Sequence, residues 1–290
     1  MHAIELSKIQ ALLSNFEGVI YEPRGSHLSS ALSVRGEANI GAGDDFHSFR
    51  PYRDGDDVRL VDWSAFARSR ELWTRQFTEH RTKRLVLALD GSRSMSGEKW
   101  VRGVTLSLVM AALCHQGGHE VAFFVFTANG LVEVPHRFET NVDPVALDWL
   151  SQFNCIGQSS LKPLQESVDR FGGAEVVVLS DFMWADVYTE LEALRTSSLS
   201  PFSLIRFSSA QDVRISEGMY MDPETMVHVE MSAGQASQVQ ESLVNFRAKL
   251  VELSRLDGVP LFDWTEVEDV QNIARWLSTR QGDLVADGCP

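Results

Sequence analysis

Leu85-Val86-Leu87-Ala88-Leu89-Asp90-Gly91-Ser92-Arg93-Ser94-Met95 is the stretch whose reading decides the fold. Five apolar residues in succession, with no polar alternation, mark a strand covered on both faces, as in a parallel sheet with helices above and below. The run stops on a carboxylate, and two hydroxyls follow at alternate positions. Oxygen donors gathered at one turn suit a hard cation such as Mg²⁺. The same residue types cap helices and tighten turns, so the pattern takes its meaning from what lies further along the chain.

Two later segments supply that context. Gly157-Gln158-Ser159-Ser160-Leu161 sets hydroxyls in a loop before a helix-like stretch, and Val176-Val177-Val178-Leu179 is a second buried strand that ends in Ser180-Asp181-Phe182. Doubly wound sheets build their ligand sites at the carboxyl ends of parallel strands, near the point where strand order reverses. Asp90 and Asp181 both fall at such ends and can converge there, on the solvent-facing edge of the sheet.

The remaining pattern alternates strands and helices. Helices are expected over Ile4–Phe16, Trp100–Cys114, Val142–Phe153, Leu161–Phe171, Leu191–Ser197, Gln238–Leu256 and Val270–Leu277. Further strands are expected over Val121–Phe126, Leu131–Val134, Phe202–Phe207, Met226–Met231 and Pro260–Phe262. The implied class is α/β, a doubly wound and mainly parallel sheet flanked by helices. Residues 1–82 form an N-terminal extension and 83–290 the main domain, with an insertion at 208–235 that adds an edge hairpin.

On Asp90, Ser92, Ser94 and Asp181 the chain resembles the von Willebrand factor A fold, a Rossmann-type α/β fold, and its metal-ion-dependent adhesion site. The resemblance implies one divalent cation, Mg²⁺ or Mn²⁺, held by Asp90, Ser92, Ser94, Ser159 and Asp181. Ser159 stands where the family has Thr, and Ser160 takes that place if the loop shifts by one. An open coordination position would receive a partner's acidic side chain.

Upstream, Gly41-Ala42-Gly43-Asp44-Asp45-Phe46 leads to Phe49-Arg50-Pro51-Tyr52-Arg53-Asp54-Gly55-Asp56-Asp57-Val58-Arg59, and then to Val61-Asp62-Trp63-Ser64-Ala65-Phe66-Ala67-Arg68. With the Asp-x-Ser-x-Ser turn, this order is similar to the bacterial family called domain of unknown function 58, over roughly residues 36–280. That family often accompanies MoxR-type AAA+ ATPases, which implies such an ATPase, and a client protein supplying an acidic ligand, as partners. Many relatives carry membrane-spanning helices ahead of this region. Read from its residues alone, the segment is structural in preference to catalytic, with a recognition surface as the open alternative: Asp54-Gly55-Asp56 is a tight turn and Asp62-Trp63 a helix start, with neighbouring arginines pairing the aspartates.

Composition narrows the remaining classes. Of 290 residues, 44% are hydrophobic and 23% charged, enough to bury a large core. Residues 1–84 hold twelve basic and twelve acidic residues, so residues 85–290 carry the whole net charge of −14. That excess argues against nucleic acid, whose binding needs basic patches. The longest apolar runs are strand-sized, far short of a bilayer span, and the start lacks a signal peptide's order. Three cysteines, Cys114, Cys155 and Cys289, show no metal spacing, and a cytoplasmic setting is expected. Neither a P-loop nor a Gly-x-Ser-x-Gly elbow is present. His115 and His119 are separated by the helix-breaking Gly117-Gly118, and the basic cluster His80, Arg81, Lys83 and Arg84 reads as a solvated connector.

Two classes compete for the Asp/Ser cluster. One is a non-enzymatic interaction module, an adaptor acting with a MoxR-type AAA+ ATPase in chaperone-like maturation of a client. The alternative is a metal-dependent hydrolase or phosphotransfer enzyme. Such an enzyme would want a tuned general base beside the metal, and no histidine lies in the metal-bearing loops.

Overall fold

A computed structural model describes residues 4–16, 19–24, 45–78, 82–137, 142–197, 200–209, 215–222 and 227–264, together with Ile273 and Trp276. The chain divides into two units, Met1–Ser26 with Lys83–Pro290, and His27–Thr82. Residues 1–26 thus group with residues 83–290 and not with residues 27–82. Helix α1 (Leu6–Ser14) and the turn after it bury Ile9, Leu12 and Phe16 in the main core. Beyond it, Arg24 donates from its backbone N–H and its Nε to the two oxygens of Glu175, at 2.7 and 2.9 Å. It also reaches the Phe202 carbonyl and the Ser203 hydroxyl. Glu175 is fully buried, so this guanidinium supplies its counter-charge.

In the smaller unit, β1 (Asp45–Pro51) pairs antiparallel with β2 (Trp73–Thr78), and helix α2 (Trp63–Ser69) lies between them in sequence. The hallmark residues serve this local fold. Asp62 caps α2, its Oδ1 accepting from the N–H groups of Ser64 and Ala65 at 2.9 and 3.0 Å. Gly55 takes a φ of 101°, which lets the turn bring Asp56 back onto Arg50. The pair is bidentate at 2.7 and 2.6 Å. The Arg50 hydrogen bonds, with the Arg53 N–H, hold the Asp56 carboxyl down at about 2.

The larger unit is organised by one sheet. Its strands are β3 (Arg84–Asp90), β4 (Glu120–Thr127), β5 (Gly130–Glu133), β6 (Glu175–Ser180), β7 (Phe202–Phe207) and, after a separate hairpin β8–β9 (Gly218–Met221, His228–Met231), β10 (Leu261–Trp264). The order is β10-β7-β6-β3-β4-β5, parallel except for β5. Alternation sets the layers. Leu85, Leu87 and Leu89 of β3 enter one core with helices α1, α3 (Glu98–Gln116) and α4 (Pro144–Gln152). Val86 and Ala88 enter the other, with α5 (Lys162–Glu166), α6 (Val187–Ser197) and α7 (Ala233–Asp257). The chain crosses from β3 to β4 on one side and to β6 on the other, so β3 and β6 flank the switch point.

Two expectations are revised, and a third lies largely outside the described residues. The helix over Leu161–Phe171 breaks at Ser167 into α5 and a 3-10 turn at Val168–Phe171. The tighter bonds Ser167 N–H to Leu164 O and Arg170 N–H to Ser167 O keep Leu164, Val168 and Phe171 all inward. The hairpin within 208–235 forms its own two-stranded sheet and does not extend the main one. Of the closing helix over Val270–Leu277, only Ile273 and Trp276 are described, both buried in the main core.

Arg24→Ala strips the buried Glu175 of its counter-charge and should lower unfolding free energy by about 3 kcal/mol. Urea titration reads the loss, and the double variant Arg24→Ala/Glu175→Gln should recover part of it.

Candidate functional site

The chain end of β3 is a crowded place. A Cβ on Gly91 would lie 2.5 Å from Val125 Cγ1 and 2.8 Å from a ring carbon of Phe153, so only glycine lets the strand turn here. The Gly91 N–H donates to Phe126 O, and the Ile156 N–H donates back to Gly91 O. These bonds bring the loop of Gly157–Ser160 onto the turn, where the Arg93 N–H closes on Gly157 O at 3.1 Å.

Asp90 is the hub. Its Oδ1 accepts the Ser92 N–H at 2.8 Å, and its Oδ2 accepts the hydroxyls of Ser159 at 2.7 Å and Ser180 at 2.6 Å. Ser92 Oγ lies 3.1 Å from Ser94 Oγ. Of the two loop hydroxyls, Ser159 faces the hub, while Ser160 donates to Glu190. Asp90 was expected at a solvent-facing end, but it has no exposure. Serines from three segments roof it over.

Asp181 follows one residue beyond β6. Phe182 holds a φ of 57°, a left-handed conformation costly for a bulky side chain, and its N–H donates to Ser180 Oγ at 2.9 Å. This kink ends the strand. The Asp181 Oδ1 accepts the Met183 N–H at 3.1 Å, and its Oδ2 accepts from Lys99 Nζ at 2.9 Å. Together with Ser94, Lys99, Ser159, Glu190 and Asp222, Asp181 lines an open cleft of about 620 Å³.

Burial pushes the Asp90 carboxyl up to about 6, and the like charge of Asp181 adds to the rise. Burial, then the Asp90 charge, pushes the nearby Cys155 thiol up to about 12, so it stays protonated and unreactive.

The structure thus brings all five sequence-selected residues, Asp90, Ser92, Ser94, Ser159 and Asp181, to the ends of β3 and β6. It adds three that sequence reasoning missed. Ser180 is the third donor to the hub, and its place just before Asp181 was the available sign. Lys99 pairs Asp181 from the first turn of α3. A lysine where the helix dipole favours acids was its signal. Glu190 gave no sign in sequence. From α6 it accepts the Ser160 hydroxyl at 2.9 Å, the Leu161 N–H at 2.7 Å and the Trp184 indole N–H at 3.0 Å, and so fixes the hydroxyl loop.

Two carboxylates and three hydroxyls, with Ser94, Ser159 and Asp181 on the cleft wall, make an all-oxygen set that fits a hard divalent cation. Among the described residues no three His, Cys, Asp or Glu side chains gather into a metal-holding group. A cation here would therefore rest on two carboxylates and on hydroxyls.

Residues 48–237 match the family model described as protein of unknown function DUF58. The match spans more than half of the chain and includes the segment from Phe49 to Arg68 and all five site residues, and the chain belongs to that family. No curated protein matches it. Among the described residues, no helix is long and apolar enough to cross a membrane.

Two outcomes follow from this geometry. In chelator-treated protein the folded Asp90 pKa lies above the unfolded value of about 3.9. Between those values the folded chain holds a proton that the unfolded chain has released. Stability from this group is full below about pH 4 and declines as pH rises through 6. Urea titrations from about pH 4 to 7 should show a steeper decline for wild type than for Asp90→Asn. Glu190→Ala leaves three donors without their acceptor and should cost about 2–4 kcal/mol by the same measurement.

Proposed function

We propose that this member of the DUF58 family is a non-enzymatic, metal-dependent protein–protein interaction module. It acts as an adaptor with a MoxR-type AAA+ ATPase in chaperone-like maturation of a client protein, on a fold of the von Willebrand factor A type. The observation that carries the reading is the convergence of Asp90, Ser92, Ser94, Ser159 and Asp181 at the switch point of the sheet, with Ser94, Ser159 and Asp181 on the wall of an open cleft.

Physical chemistry supports the metal dependence. The cleft wall also carries Asp186, Glu190 and Asp222, so its acidic side chains outnumber Lys99 and Lys162. A partner's carboxylate entering such a cleft meets repulsion. A divalent cation, when bound, supplies the positive charge and the open position that receive it. The protein's own part is to hold the hydroxyls at fixed spacing. The Ser159 hydroxyl is oriented by Asp90, its loop by Glu190, and the Asp181 carboxylate by the Met183 N–H. Mg²⁺ suits this role because it keeps several waters and binds through few protein ligands. The partnership with a MoxR-type ATPase is drawn from the family resemblance.

Calorimetric titration of MgCl2 and MnCl2 into chelator-stripped protein tests the reading. Saturable one-site binding to wild type, weakened at least about tenfold in Asp181→Asn, is expected, from the loss of one charged ligand. Co-elution with a purified MoxR-type ATPase should then require the cation and be lost in EDTA. Equal binding by wild type and Asp181→Asn would place the cation elsewhere.

A further inference from the structure

Lys99 is the one feature of the cluster that a pure cation site does not need. Its ammonium lies 2.9 Å from Asp181 Oδ2, and the two side chains are 9% and 1% exposed. Burying an ammonium is unfavourable unless an anion meets it. Its position raises the cost further. Gly97 is the N-cap of α3 and Glu98 its first residue, so Lys99 sits in the turn where backbone N–H groups converge and cations are disfavoured. A lysine placed against both burial and dipole is held there by local negative charge, and the Asp181 carboxylate provides it at 2.9 Å.

We infer that Lys99 is the built-in counter-ion of this site, and that its ammonium and a divalent cation compete for the Asp181 carboxylate. The inference rests on the metal-site reading proposed above and adds a means of regulation to it. Asp181 Oδ2 is the oxygen that the ammonium takes, while Oδ1 is already held by the Met183 N–H. Lys99 also lines the cleft, and a flexible four-carbon stem gives its head a route into that space when a cation arrives. The site then has two states, one closed by lysine and one loaded with metal. Charge balance links them, since the ammonium and the cation answer the same Asp181 carboxylate. Cation affinity in isolation is held down, and an incoming acidic partner raises it by offering the displaced ammonium a new counter-ion.

The test is titration of MgCl2 and MnCl2 into metal-free wild type, Lys99→Met and Lys99→Arg, followed by calorimetry and by thermal unfolding. Lys99→Met should bind at least about tenfold more tightly than wild type, because the competing charge is gone. Its metal-free Tm should be lower than that of wild type and should rise saturably with MgCl2, more than the wild-type Tm does. Lys99→Arg, which keeps the charge, should follow wild type. Lys99→Gln serves in place of Lys99→Met should the latter not fold. Equal or weaker cation binding by the neutral variants, with wild type binding, overturns the competition and leaves the metal site standing. A gain in Lys99→Arg equal to that in Lys99→Met overturns it too, since charge would not be the cause. No binding by any variant overturns both the competition and the metal site.

Discussion

A carboxylate cut off from water must receive its hydrogen bonds from the protein, and at the end of β3 three parts of the chain meet that demand. The Ser92 N–H comes from the following turn, the Ser159 hydroxyl from a loop almost seventy residues away, and the Ser180 hydroxyl from the neighbouring strand. Each bond fixes a segment that would otherwise be free to wander. An unsatisfied buried polar group costs on the order of 1–3 kcal/mol, and a charged one more. The hub at Asp90 therefore specifies the local arrangement as strongly as the apolar contacts around it.

The other special features of the region follow from that crowding. Gly91 carries no side chain because Val125 and Phe153 occupy the space. Phe182 accepts a left-handed backbone because the chain must leave β6 immediately after Ser180 has turned inward. Glu190 braces the hydroxyl loop from outside, accepting hydrogen bonds from three donors. The Asp90 carboxylate lies behind the cleft wall, whereas Asp181 lines it. One carboxylate organises the site from within, and the other forms part of its open wall.

Much of this was legible in the sequence, for reasons that can be named. Uninterrupted apolar runs at Leu85–Leu89 and Val176–Leu179 identified the two central strands, and the residues closing them lie in the cluster that gathers there. Periodicity found α3 because its apolar face is wide, and most of α7, whose start was expected at Gln238 although the capping box of Ser232 and Gln235 begins it at Ala233. Long-range polar pairing was not legible. Glu190 falls just before the helix expected over Leu191–Ser197, and nothing local marks it or Arg24 until the fold brings their partners within reach. The break at Ser167 was equally hidden, since Leu164, Val168 and Phe171 fit a continuous helix and a 3-10 turn alike.

The salt bridge of Lys83 with Glu22, at 2.7 Å, sits where the chain leaves the larger unit and where it returns. Departure and re-entry are thus stapled side by side, just ahead of Arg84, the first residue of β3. Everything between them behaves topologically as cargo clipped into a loop of an otherwise continuous domain, an arrangement in which closing the gap with a short connector costs little entropy. The clip lies at the opposite end of β3 from Asp90, roughly 20 Å away at the rise of an extended strand.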